Sequence, residues 1–265
     1  MAKNETNTAV ATVETKNTLP AGWEDMAADA GVGLENTSAE DYAIPFISIL
    51  QALSPQLNKQ EGKYIKGAEQ GQIYNNVTNE VVDGEESGIL VVPVGFKFTI
   101  VEWKPRESGG GIVDVYVRDN APDDAEKDAK GRDVRPNGNT LVSTGTHYVL
   151  LVKEDGSFEQ AVISMSSTQL KKSRRWNSLM AQIKLRGPNG MFTPPTYSHL
   201  YRLKTVPESN NNGSWYGWSV TNEGMLQDRD LYLAAKDFHA AVASGAVKVK
   251  TENVDSEEVE DTKAF

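Results

Sequence analysis

The sequence predicts an α+β fold, an antiparallel β-sheet or small barrel with helices packed on it. Three observations carry that expectation. Ile89–Trp103 alternates, with Phe96, Phe98 and Ile100 on one side and Lys97, Thr99 and Val101 on the other, and Ile112–Val117 puts Val113, Val115 and Val117 on one face. Segments after Ser166 and near Leu231 carry apolar residues at helical spacing instead. The order helix, strands, helix, aromatic hairpin, helix lacks the βαβ alternation of a doubly wound sheet, and neither GxGxxG nor GxxxxGKS/T occurs.

The elements follow in chain order. Residues 1–41 form an acidic arm whose first 20 residues lack periodicity and read as disordered, with one loose helical turn around Trp23. In residues 42–57, Ile44, Ile47, Leu50 and Leu53 fit helical spacing with Pro45 in the first turn, which predicts a helix. Residues 62–76 read as turns and a short strand punctuated by Gly67 and Gly71, and residues 119–140 as a long exposed loop. Strands are expected at 147–152 and 158–165, joined by a turn at 154–157. Ser166 and Gln169 fit a capping box opening a helix whose apolar stripe is Trp176, Leu179, Met180 and Ile183, ended by Gly187-Pro188. Residues 197–206 alternate again, and SWYGWSV puts Trp215 on one face and Tyr216 and Trp218 on the other. A last helix carries Leu231, Ala234, Ala235, Phe238, Ala241 and Val242 and stops near Gly245. Residues 42–251 thus form a single domain, followed by a disordered acidic tail at 252–265.

Composition narrows the chemistry. The absence of cysteine among the 265 residues excludes disulfides, cysteine-ligated zinc and cysteine nucleophiles. With His147, His199 and His239 the only histidines, no metal site or cofactor is expected, and His199, between tyrosines on a strand, reads as a stacking or core residue. No apolar run is long enough for a membrane span and no signal-peptide pattern opens the chain, so the expected location is the cytoplasm.

The net charge of −10 is unevenly distributed: residues 1–41 hold −6, residues 252–265 hold −5, and the body between them is +1. Residues 160–207 contain no acid but carry Lys171, Lys172, Arg174, Arg175, Lys184, Arg186, Arg202 and Lys204. Aromatic residues run through the same stretch and just beyond it: Trp176, Phe192, Tyr197, Tyr201, Trp215, Tyr216 and Trp218. Cations that track phosphates, interleaved with rings that stack bases, are what gripping a single strand requires. Lys171, Lys172, Arg174, Arg175, Arg202 and Lys204 are the expected phosphate contacts, and Trp176, Tyr201, Trp215 and Trp218 the expected stacking rings. The tail offers Glu257, Glu258, Glu260, Asp261 and a closing Phe265 to a partner that has cationic groups and an apolar pocket.

The ending EEVEDTKAF resembles the acidic, Phe-terminated tail of phage and bacterial single-stranded DNA-binding proteins, with Lys263 and Ala264 interrupting the usual acid-to-Phe pattern. DYAIPFISILQALSPQ, KGAEQGQIYNNVTNE, VEWKPRESGGG and KKSRRWNSLM are similar to phage-encoded proteins described as single-stranded DNA-binding or left uncharacterised. The resemblance implies an OB-like barrel that coats single-stranded DNA in phage replication or recombination, without enzymatic activity. It also implies recruitment of a polymerase, helicase or primase through the tail, and allows a homo-oligomer. Two rival readings stand beside it. Glu102-Trp103-Lys104 closing a strand, with Asp83 or Asp114 as a second carboxylate, fits half of a Mg²⁺-dependent nuclease signature. Alternatively, a phage structural or host-takeover protein would use the acidic ends to mimic DNA.

Overall fold

The computed structural model describes residues 21–37, 42–210 and 213–247. Its strands are β1 (Ile47–Ile49), β2 (Ile73–Asn75), β3 (Val81–Val82), β4 (Ile89–Trp103), β5 (Ile112–Val117), β6 (Glu126–Lys127), β7 (Asp133–Val134), β8 (Thr140–Val152), β9 (Phe158–Ser166), β10 (Leu185–Gly187), β11 (Gly190–Phe192), β12 (His199–Asn210) and β13 (Gly213–Met225). The two α-helices are α1 (Leu170–Gln182) and α2 (Arg229–Ser244). Residues 252–265 lie outside the described residues, as do residues 1–20 of the arm.

The backbone of the fold is the antiparallel order β13-β12-β4-β8-β9. That sheet curls into a half-barrel, compatible with an OB-like barrel, because its two edges are bridged from inside the chain. On the β9 edge, the Val162 N–H donates to Pro45 O at 2.9 Å and Phe46 makes a parallel bridge to Val162. A few residues on, Gln51 reaches the β13 edge. Its Nε2 donates to Tyr216 O at 2.8 Å and its Oε1 accepts from the Tyr216 N–H at 2.9 Å. The Trp218 N–H on the same edge is taken by Gln169 Oε1 at 2.9 Å. Two glutamine amides thereby do the work of a missing strand, which keeps the edge from pairing elsewhere.

Residues 42–57 are not the helix that their spacing suggests. They form β1, paired with β2, and a 3-10 turn at Pro55–Leu57. Isoleucine at 44, 47 and 49 is stiff at χ1 and suits a strand, and the partners of β1 lie far away in sequence, where local periodicity cannot see them.

The curl separates two cores. Inside it, Val91, Val149, Leu151, Ile163, Met165, Tyr201, Leu203 and Trp218 pack against Trp176 and Met180 of α1 and against Ile47 and Ile73 of the small β1-β2-β3 sheet. On the outer face, Val92, Val94, Tyr148, Leu150 and Val162 pack against Leu231, Ala235, Phe238 and Val242 of α2. Asp228 caps α2 by accepting from the Asp230 and Leu231 N–H groups, and Gly245 at φ +76° ends it.

Beyond the barrel the β4-β8 ladder continues as an arm that carries β5, β6 and β7. Residues 119–140 are anchored on it rather than free. Glu102 is only 1% exposed, and its carboxylate accepts from Tyr116 Oη at 2.6 Å, Asn139 Nδ2 at 2.6 Å and Arg135 Nη1 at 2.9 Å. The other side of the Arg135 guanidinium holds Asp124 through two bonds of 2.8 and 3.0 Å. Burial by itself raises the Glu102 carboxyl, but the hydrogen bonds from Asn139, Tyr116 and Arg135 outweigh it and leave the group below its ordinary value. The same bond pushes the Tyr116 hydroxyl up to about 12.

A carboxyl whose folded pKa is depressed stabilises the fold above its unfolded value and loses that contribution as pH falls through the folded one. Glu102→Gln is therefore expected to lower stability by about 2 kcal/mol at pH 7, the scale of a charge-assisted hydrogen bond. In urea unfolding the gap from the parent protein should narrow below about pH 4.3, the ordinary glutamate value. A gap that stays constant down to pH 3 would show that the Glu102 charge contributes nothing.

Candidate nucleic-acid interface

α1 enters from β9 through a 3-10 turn, Ser167–Gln169, in which Ser167 has φ +48°. The expected capping box does not form. Gln169 is instead buried, with its side chain turned to the β13 edge, so tertiary satisfaction of Trp218 N–H wins over local capping. Along the helix Leu170, Ser173, Trp176 and Met180 are buried, while Lys171, Arg174 and Arg175 are exposed. The helix ends at Gln182, earlier than Gly187-Pro188, because residues 185–192 fold into the β10-β11 hairpin around Pro188-Asn189.

The four rings nominated for stacking are not at the surface, which corrects the sequence-based expectation. Trp176 and Tyr201 are 0% exposed, Trp218 is 2% and Trp215 is 9%. Trp176 lies against His147 with ring centroids 4.4 Å apart and 23° between planes, and meets Tyr201 edge-on at 5.8 Å. Trp215 donates its indole N–H to Glu208 Oε2 at 3.1 Å. Large rings contribute the most burial, so the core claims them first.

The six cations separate in the same way. Lys171, Arg174 and Arg175 share the outer face of α1 and make no ion pair among the described residues. Lys172 pairs with Glu208. Arg202 holds Glu223 and donates to Ser87 O at 3.0 Å, and Lys204 donates to Glu86 O. Arg202 and Lys204 alternate with Tyr201 and Leu203, which face the core that α1 covers, so they emerge on the other side of the sheet. The expected single groove is thus divided by the sheet itself.

A smaller surface remains. The hairpin after α1 exposes Arg186, Met191 and Phe192, the ring 46% exposed and resting on Gly187, where an added Cβ would meet it at 3.1 Å. Lys184 is exposed beside it and donates to Thr193 Oγ1. Phe192 is therefore an accessible ring beside exposed cations, which the sequence shows as an aromatic in the acid-free stretch but does not distinguish from the others. The signal that singles it out is the turn at Gly187-Pro188-Asn189-Gly190, which lifts its flanks into a hairpin.

Of the carboxylates in the nuclease reading, Glu102 and Asp114 are cross-strand partners on β4 and β5, while Asp83 lies in the turn before β4. All the acceptor capacity of Glu102 that the structure displays is directed at Tyr116, Asn139 and Arg135. Asp114 accepts from the Val115 N–H within β5, and Asp83 accepts from the Glu86 N–H and closes its turn. No group of three or more His, Asp or Glu among the described residues is placed to hold a metal ion. The tail residues Glu257, Glu258, Glu260, Asp261 and Phe265 lie outside the described residues. No described helix is long and apolar enough to cross a membrane.

Under α1 sits a buried polar cluster. His147 Nε2 and Ser173 Oγ are 2.8 Å apart, while His147 Nδ1, Trp176 Nε1 and Tyr201 Oη have no hydrogen-bond partner among the described residues. Each such group costs about 1–3 kcal/mol when buried unpaired. Burial pushes His147 down to about 3. Its unfolded value is near 6.5, so the stability it contributes is complete above that and declines as pH falls toward 3. In urea unfolding the parent protein should therefore lose about 1.4 kcal/mol per pH unit relative to His147→Gln between pH 6.5 and 4.5. Parallel pH curves for the two proteins would contradict a neutral, buried imidazole.

No curated protein and no solved structure matched the chain. Residues 13–248 match the family described as Pam3 phage gp34-like protein. That match spans most of the sequence, and the chain belongs to this phage protein family.

Proposed function

We propose that this phage-family protein binds single-stranded DNA without cleaving it, and that the outer face of α1 and the hairpin behind it make the contact. The observation that carries the reading is that Lys171, Arg174 and Arg175 stand exposed on one helix face and make no ion pair among the described residues, within a stretch that contains no acid. Cations held on a rigid helix track phosphates, and Phe192 supplies a sequence-tolerant face for a base. The acidic residues of the chain's two ends lie outside this stretch in sequence. In the proposed role the protein coats single-stranded intermediates of phage replication or recombination, and its acidic tail recruits replication proteins.

The test is a titration of labelled oligo-dT at two salt concentrations. Three neutralised phosphates correspond to a loss of roughly 20-fold in affinity between 50 and 200 mM salt. Reversing both Arg174 and Arg175 to Glu should abolish most of that binding and its salt slope, with the circular dichroism spectrum unchanged. Binding that ignores salt, or that survives the double reversal, would remove α1 from the interface.

A further inference from the structure

The rings that the sequence sets beside the cations are buried, and they are buried under the same helix that displays the cations. We infer that α1 is a hinged cap over a cryptic base-stacking site with Trp176 as its roof and His147, Tyr201 and Trp218 as its floor, entered by unpaired nucleobases when α1 swings away. The inference rests on the reading of α1 as a phosphate-binding surface.

Three features of the α1 seat support it. The link from β9 into α1 turns at Ser167, a non-glycine residue at φ +48°, in a conformation that costs the closed state energy. At the other end Ile183 is already extended and leads into an exposed hairpin, so the C-terminal end of α1 is not held in the sheet, while the N-terminal end stays tied to β13 through Gln169 and serves as the hinge. Between them the interface holds three polar atoms with no partner among the described residues, His147 Nδ1, Trp176 Nε1 and Tyr201 Oη, all within one contiguous stack of rings. A seat built only to be permanent would be apolar there or would pair those groups. Nucleobase edges present both donors and acceptors, and their faces stack on the same rings. Phosphates held by Lys171, Arg174 and Arg175 would bring the bases to the cap from outside.

The chain has no cysteine, so one disulfide can pin the cap cleanly. A Cβ added at Gly145 of β8 would lie 3.3 Å from the Ser173 Cβ of α1, a few tenths of an ångström from disulfide spacing. The full chain carrying Gly145→Cys and Ser173→Cys is titrated with oligo-dT oxidised and then reduced. The expected result is at least tenfold weaker binding when oxidised, recovered on reduction. Equal binding in the two states would overturn the cap and leave the surface reading intact. Absence of salt-dependent binding by the parent protein would instead overturn the surface reading, and the cap with it.

Met180→Ala provides an independent arm, because it loosens the underside of α1 without removing a ring or a surface cation. A larger open fraction should tighten apparent binding several-fold, since apparent affinity scales with that fraction. Affinity equal to or below that of the parent protein would count against the cap.

Discussion

The burial of Trp176 is the contact on which the rest of this structure depends. Its indole lies flat on His147 from β8 and meets Tyr201 from β12, so one side chain of α1 joins two strands that are not neighbours in the sheet. Seating it fixes the rotation of the helix, because Leu170, Ser173 and Met180 share its side. The rotation in turn leaves Lys171, Arg174 and Arg175 pointing outward. The cationic surface is thus a by-product of core packing, set by helical geometry rather than by attraction to other parts of the protein. The same side chain covers the opening of a half-barrel whose edges are bridged by Gln51 and Gln169.

Electrostatics then sorts the basic residues into two groups. Lys172, Arg202 and Lys204 are engaged by Glu208, Glu223 and loop carbonyls, where their charge is compensated locally. Lys171, Arg174 and Arg175 make no ion pair among the described residues. A cation already holding a carboxylate must give it up to bind a phosphate, so the unpaired set contributes more to any polyanion affinity. The cluster of Glu102, Arg135 and Asp124 shows the opposite use of charge: it closes a long loop onto the arm.

Much of the fold was legible in the sequence wherever a pattern was long and locally consistent. Ile89–Trp103 is a strand over the expected residues, and the helix through Leu231, Phe238 and Val242 ends at Gly245 as its stripe indicates. The segment at 42–57 failed because Ile44, Ile47, Leu50 and Leu53 fall at helical spacing by themselves, while the deciding partners, β2 and β9, lie elsewhere in the chain. Ser166 and Gln169 failed for a related reason, an unpaired edge N–H outcompeting a helix cap. The candidate site was half legible. Position in the chain correctly brought cations and rings into one stretch, yet alternation cannot say which face of a strand is covered, and all four nominated rings are buried. Phe192 was named among the aromatics of that stretch but not singled out, because its exposure depends on a hairpin of three residues a side.

Ultraviolet crosslinking of the full chain to oligo-dT, followed by peptide mapping, tests the account most directly. It predicts crosslinked peptides from residues 170–192, joined by 201–218 when the rings are reached. Crosslinks confined to the arm that carries residues 112–142, or none at all under conditions where the protein is folded, would contradict it.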